Sequence, residues 1–384
     1  MPASERTGPL AHLRVLDLSR LYPGAMCSLL LADLGADVVK VEGPGFGDGM
    51  RFLTADDFKA AHVAFNRGKR SITLDVKHPR AGELLRRLAP DFDVVIESHR
   101  PGALEELGLG YSQLREANPR IIWCSLTGFG PDGPLARAPG HDITYAGYAG
   151  VLARLGGGDL PPVPDLTLAL PVGALMGAVG ILAALARRAV TGQGARVDAA
   201  LTDAAMWLVS EDVARAASAP GPNWGALAAR AIYRCADDRM VTVASTEPKP
   251  WAALCAALDL PDLVDHVLGD REDEVTERLA EAFLRKPAAD WVQNPGLAGG
   301  VGPVNDPGDL LEDAHVAARR GVVALDGDGP RVLASPLRFD GATSDVSSHA
   351  ATAPPALGAH TDEVLAAAGF APAEIESFRR DRVV

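Results

Sequence analysis

Two rhythms of apolar and polar positions alternate over the first 125 residues. Short runs rich in Val, Ile and Leu, at Leu13–Leu18 (LRVLDL), Asp37–Glu42 (DVVKVE), Ser71–Leu74 (SITL), Asp93–Glu97 (DVVIE) and Ile121–Ser125 (IIWCS), have the length and composition of buried strands. Between them lie segments of helical character: one opened by Pro23–Gly24 and running to Ala36, one from Pro79 to Leu88, and one from Leu104 to Glu116. Proline suits a first helical turn, where its missing N–H is no loss. A strand, a helix and a second strand within residues 13–42 match a right-handed crossover between parallel strands. Repeated, this predicts an open α/β sheet.

The rhythm changes after Gly140. Helical segments dominate residues 141–218, and Ala219–Asn223 (APGPN) reads as a linker. A smaller α/β region follows, with a strand at Met240–Ala244 and helices at Trp251–Leu258, Glu274–Phe283 and Asp309–Arg320. Short strands resume near residue 332, and an amphipathic helix covers Asp362–Ala368. The most apolar stretch, residues 166–186, is long enough to cross a bilayer. Pro171 and three glycines interrupt it and no aromatic belt flanks it, so a buried core helix is expected.

Composition narrows the function classes. A chain of 384 residues exceeds the usual single-core limit, so two domains are expected. Apolar residues at 47% and charged residues at 23% are the balance of a soluble globular protein. With aromatics at 5%, the core must rest on Ala, Leu and Val. The net charge of −13 argues against nucleic-acid or membrane-surface binding, yet a local basic groove can still hold an anion. Cys27, Cys124, Cys235 and Cys255 show no CxxC spacing and no neighbouring His cluster. Neither a metal site nor a disulfide framework is expected. The N-terminal residues lack the apolar core of a signal peptide, so a reducing, cytoplasmic setting is the expectation.

Two runs invite a phosphate reading. GPGFGDG (43–49) follows a strand but opens no helix with GxGxxG spacing, so a turn over a groove is favoured. NRGKRS (66–71) is either a solvated loop or a clamp on phosphate. The ordered segments LSRLYPG (18–24), LADLGADVVKVE (31–42), NRGKRSITLDVK (66–77), ESHRPGALEELGLG (97–110), NPRIIWCSLTGFG (118–130) and GHDITY (140–145) are more specific. Together with TGQGARVDAAL (191–201), TEPKPW (246–251), GPV (302–304) and LGAHTDEVL (357–365), they closely resemble the α-methylacyl-CoA racemases and class III CoA-transferases of the CaiB/BaiF family.

That resemblance implies an α/β fold with a large Rossmann-like domain from both chain ends, residues 1–200 and 332–384. It implies linker helices at 201–228 and a smaller α/β domain at 229–331. It also implies an interlocked homodimer whose site lies between the large domain of one subunit and the small domain of its partner. The substrate would be an acyl-CoA, with coenzyme A entering as part of it and no further cofactor. Arg20, Lys69, Arg70 and Arg100 would face the CoA groove, with ordinary surface charge as the alternative. His141 would be the family's base, Glu247 its partner, and Asp142 either a participant or the cap of the following helix. From its position after His141 alone, the run Tyr145–Tyr148 is expected to line the acyl pocket.

One position departs from the family pattern. The carboxylate expected before the Gly-rich helix start is Ala169 here, with Asp165 and Asp159 upstream. Alanine can neither form an acyl anhydride nor donate a proton. On residues alone, α-proton abstraction by His141 and Glu247 therefore ranks first. CoA transfer with a displaced nucleophile, such as Asp165 or Glu247, and non-catalytic acyl-CoA binding remain as alternatives.

Overall fold

The computed structural model describes residues 7–52, 55–156, 160–218, 227–269, 271–339 and 351–384. The chain divides into two compact units, residues 1–213 with 318–384, and residues 214–317. The first is built on six strands: β1 (Arg14–Asp17), β2 (Asp37–Glu42), β3 (Arg70–Thr73), β4 (Val94–Glu97), β5 (Ile122–Thr127) and β6 (Ala195–Ala200). Their order is β3-β2-β1-β4-β5-β6, and every pairing is parallel. Joining them are α1 (Tyr22–Asp33), α2 (Ala55–Asn66), α3 (Ala81–Leu88), α4 (Ala103–Glu106), α5 (Tyr111–Ala117), α6 (Asp142–Tyr148) and α7 (Ala169–Thr191). Beyond β6 come α8 (Leu201–Met206) and α9 (Ser210–Ser218).

Alternate strand residues serve opposite faces, as the pleat requires. Leu16, Val39, Ile72, Val95 and Trp123 pack with α3 and α5 on one face. Val15, Val38, Val94, Ile122 and Cys124 pack with α1 and α7 on the other. The single helix expected over 104–116 is two, α4 and α5, separated at Gly108, which has φ +71°. β6 was not anticipated, because ARVDAA carries one β-branched residue and alternates weakly.

Helix α7 corrects the expectation of a wholly buried segment. Gly173, Ala174, Gly177, Ala178, Ile181 and Ala184 form its buried face. Gly177 lets α7 approach closely, since a Cβ there would stand 3.0 Å from Leu126 Cδ2 and 3.3 Å from Cys27 Sγ. The other face exposes Leu175 (52%), Val179 (60%) and Val190 (88%). Among the described residues α7 is the one helix long and apolar enough to cross a membrane by length and composition.

The second unit carries an antiparallel sheet of β7 (Arg230–Arg234), β8 (Met240–Ala244) and β9 (Val301–Pro303). It packs around Trp251, Phe283 and Trp291 with α10 (Pro248–Leu258), α11 (Glu272–Phe283) and α12 (Ala288–Val292). The helix expected at 309–320 is instead a single 3-10 turn at Asp309–Leu311 and a short α13 (Ala314–Ala318). The linker expected at 219–223 lies outside the described residues. The chain then forms a hairpin, β10 (Val322–Ala324) with β11 (Arg331–Leu333), and ends in α14 (Thr361–Ala367) and α15 (Pro372–Arg380). Val364, Phe370 and Phe378 return the chain end to the core of the first unit.

Candidate active site

In the parallel sheet, strand order reverses between β1 and β4. At such a switch point doubly wound sheets take ligands in the crevice outside the C-terminal ends of the strands. Arg20 lies on the loop after β1 and Arg100 on the loop after β4, both exposed. The two loops are tied together: the Arg20 N–H donates to Ser98 Oγ at 2.9 Å, and the Ser98 hydroxyl donates to the Arg20 carbonyl at 3.2 Å. Gly102, at φ +86°, turns the second loop, and the Ala103 N–H donates to the Arg100 carbonyl at 3.0 Å. The structure thus brings Arg20 and Arg100 onto two tethered loops at the switch point of the sheet.

Lys69 and Arg70 have other partners. The Lys69 ammonium is buried, 3.5 Å from Asp17 Oδ2 and donating to the Ala25 carbonyl and Asn66 Oδ1 at 3.0 Å each. Arg70, at the start of β3, pairs with Asp37 at the start of β2 and with Glu363 at 3.1 Å. It stands at the opposite, N-terminal edge of the sheet. Arg67 forks onto Asp33 at 2.6 and 3.0 Å. The basic run therefore fastens β3 to carboxylates of α1, β1 and β2.

Beneath the crevice lies a buried charge cluster that the sequence did not announce. Lys40 Nζ stands 3.6 Å from Asp17 Oδ1 and 3.3 Å from Asp48 Oδ2. Burial alone would raise the carboxyl of Asp17, but Lys40 and Lys69, with the Ser19 and Ser28 hydroxyls, hold it below its ordinary value. Burial opposes the charge on Lys40 too, and Asp17, Asp48 and Glu42 overcome it, raising its pKa. Lys69 goes the other way: burial, only partly offset by Asp17, lowers it to about 8. The Gly-rich run 43–49 is a tight turn closed by Gly47 N–H to the Gly43 carbonyl at 2.9 Å. Its Asp48 accepts from Met50 N–H at 2.9 Å and from Leu21 N–H at 3.0 Å. Leu21 sits at φ +60°, ψ −148°, a region that costs a non-glycine residue about 1–3 kcal/mol. The signals missed were a lone Lys inside an apolar strand, Lys40 in DVVKVE, and the Asp that closes the Gly-rich turn.

His141 and Ala169 belong to the same sheet edge. His141 lies on the connection after β5 as the N-cap of α6, and it is exposed. Helix α7 runs back to the N-terminal edge, where Arg188 meets Asp93 at 2.8 Å, so its own start faces the C-terminal edge. Asp142 links the two helices. Its carboxylate accepts the N–H groups of Leu168 (2.8 Å), Ala169 (2.8 Å) and Leu170 (2.9 Å). The cap it supplies is thus on α7, not on the helix it begins. Ala169 is fully buried. Tyr145 sets the loop before His141: its hydroxyl donates to the Gly140 carbonyl at 2.6 Å. A Cβ on Gly128 or Gly140 would fall within 2.6 Å of its ring. Tyr148 is exposed and packs edge-on against Phe129.

Glu247 is in the second unit, exposed, at the N-cap position of α10, where its side chain makes no capping bond. Asp165 is exposed on the segment leading into α7. Asp159 lies outside the described residues. Among the described residues no group of three or more His, Cys, Asp or Glu is placed to hold a metal ion, and all four cysteines are free and buried.

A family model described as CoA-transferase family III matches residues 10–361. The chain belongs to CoA-transferase family III. It is 32% identical to the α-methylacyl-CoA racemase of Homo sapiens, over 98% of this chain and 97% of that one. It is equally 32% identical to the β subunit of a succinyl-CoA–L-malate CoA-transferase from Chloroflexus aurantiacus, over the full length of both. A CAIB/BAIF family protein from Brucella suis superposes with a TM-score of 0.82 at 29% identity, covering 94% of this chain and 100% of that structure. Family III chemistry of the transferase and racemase type, on acyl-CoA thioesters, is the level at which function is shown. Coenzyme A belongs to the substrate rather than to a resident cofactor.

Proposed function

We propose that this chain is a CoA-transferase of the third class, moving CoA between carboxylic acids, with the acyl-carrying carboxylate displaced from position 169. The observation that carries this reading is the full-length match to family III, whose relatives include transferases with succinyl-CoA as donor. Arg20 and Arg100 at the crevice would grip the CoA phosphates, since Arg offers a two-pronged fork to such anions. Lys69 would serve the groove indirectly, through Asp17 at the end of β1, whereas Arg70 fastens β3 to β2 away from it. A transferase needs a carboxylate to take the acyl group from sulfur, and Ala169 has none. Asp165, exposed just before α7, is the first candidate, and Glu247 the second. The experiment is acyl transfer from succinyl-CoA to a free carboxylic acid by wild type, Asp165→Asn and Glu247→Gln. Loss of turnover in one variant assigns the carrier. Full activity in both overturns a displaced carboxylate.

Ala169 itself favours a second reading. His141, with Glu247 as its partner, would remove the α-proton of the acyl group, and no carboxylate at 169 would return one to the opposite face. Imidazole suits that task near neutral pH. In deuterated water this predicts α-deuterium incorporation faster than inversion, abolished in His141→Ala.

Either reaction is proposed to run in an interlocked homodimer in the cytoplasm. The exposed apolar stripe of α7, with Trp207 at 66% exposure beyond it, supports a covered surface of this kind.

A further inference from the structure

The loop that presents Arg20 is fastened at five backbone polar groups in a row, and much of the fastening comes from charges that neither reaction uses. Ser19 N–H donates to Asp17 Oδ1 at 3.0 Å, and the Ser19 carbonyl accepts from Lys40 Nζ at 2.6 Å. Ser98 Oγ meets both the N–H and the carbonyl of Arg20. Leu21 N–H ends on Asp48 Oδ2 at 3.0 Å. The side chains of Lys40 and Asp48 are 4% and 2% exposed, so water does not substitute for either.

A leucine at φ +60° returns to an ordinary backbone region unless its surroundings hold it. Buried ion pairs are poor at stabilising a fold, because desolvation offsets much of their attraction, and apolar replacements of similar volume are often as stable. What such a pair supplies is direction: each carboxylate oxygen and each ammonium proton has one place to be. Here the chain of Asp17, Lys40 and Asp48 ends on the backbone of residues 19 and 21, either side of an exposed arginine.

We propose that Lys40 and Asp48 are positioning residues for Arg20: through Leu21 and Ser19 they hold the loop after β1 so that the Arg20 guanidinium faces the phosphates of an acyl-CoA in the crevice. The proposal rests on the reading that the crevice takes acyl-CoA, and it is independent of which reaction follows. Lys40 and Asp48 touch no substrate. Their effect belongs on the affinity for the CoA moiety.

The test is isothermal calorimetry of the full chain with free coenzyme A. The variants are Arg20→Ala, Asp48→Ala, the double variant Arg20→Ala/Asp48→Ala, and Arg100→Ala. Loss of a charge-assisted contact should weaken binding about tenfold in Arg20→Ala. Asp48→Ala should lose a similar factor, and the double variant no more than the larger single loss, because both remove one contact. A general structural role for Asp48 would instead multiply the two losses, and that result overturns the proposal. So does wild-type affinity in Asp48→Ala beside a weakened Arg20→Ala. Should Asp48→Ala fail to melt as a folded protein, Ser98→Ala takes its place: it releases the Arg20 backbone from the other loop without disturbing a buried charge. The same non-additivity with Arg20→Ala is expected, and multiplied losses again overturn the proposal. If Arg100→Ala alone weakens binding, the crevice reading stands and the Arg20 device falls. If neither arginine variant shifts affinity, the crevice reading falls and takes the device with it.

Discussion

Asp142→Ala separates a residue that builds the site from one that does its chemistry. Both carboxylate oxygens of Asp142 are committed to the first N–H groups of α7, at 2.8, 2.8 and 2.9 Å. Helix α7 has no cap from its own preceding residue, Leu168. Removing a capping side chain costs about 1 kcal/mol and up to about 2. The negative charge beside a helix N-terminus adds about 0.3–1 kcal/mol. Three donors are stranded here rather than one, and Ala169 is fully buried, so water does not readily replace the carboxylate. The loss is therefore about 2–4 kcal/mol. At about 2 °C per kcal/mol for a unit of this size, melting should fall by roughly 4–8 °C. Asp142→Asn keeps one accepting oxygen and should lose about 1 kcal/mol. Scanning calorimetry, paired with acyl-CoA turnover, reads both. A capping role predicts that the Asn variant keeps turnover within about tenfold, since a general acid or base is worth about 10²–10⁴. A thousandfold loss in Asp142→Asn at unchanged melting temperature would refute the capping account. So would Asp142→Ala melting with the wild type.

Arg100→Ala should weaken coenzyme A binding and flatten its dependence on salt, measured by titration at two ionic strengths; an unchanged slope contradicts its place at the phosphates. Asp17, Glu42 and Asp48 are all held below their ordinary carboxyl values despite burial, by Lys40, Lys69 and Arg51 and by hydrogen bonds. Their contribution is present above the unfolded values near about pH 4 and is lost as pH falls further. Burial holds His62 down to about 4, so the urea midpoint should begin to fall as pH drops below about 6.5 and fall further below 4, and a midpoint steady to pH 3 would contradict it. Light scattering at micromolar concentration should give twice the chain mass of 40.1 kDa, and a single-chain mass would remove the homodimer.

The strand runs DVVKVE, DVVIE and IIWCS were legible because buried parallel strands are apolar on both faces. Arg20, Arg100 and His141 were named through the family resemblance, and each lies on a connection that follows a strand. The partners were not legible. Lys69 meets Asp17 from 52 positions away, Arg67 meets Asp33 from 34, and Asp142 reaches amides 26–28 positions downstream. A charged run looks solvated until the fold supplies its counter-ions. Leu21 gave no signal at all: glycine marks positive φ in a sequence, and a leucine forced there does not. β6 was obscured by its alanines, and its pairing with β5 supplies what its composition lacks.

On the transferase reading, CoA changes carboxylic acids on this chain although residue 169 carries no carboxylate. One reaction tests it: wild-type protein, succinyl-CoA and a free branched carboxylic acid in deuterated water, followed by mass spectrometry of the thioesters. The expected product is a new thioester bearing the acceptor acid, formed faster than any deuterium enters at its α-carbon. Deuterium in the thioester pool without a new thioester would contradict it and leave the His141 α-proton reading; neither product would contradict both.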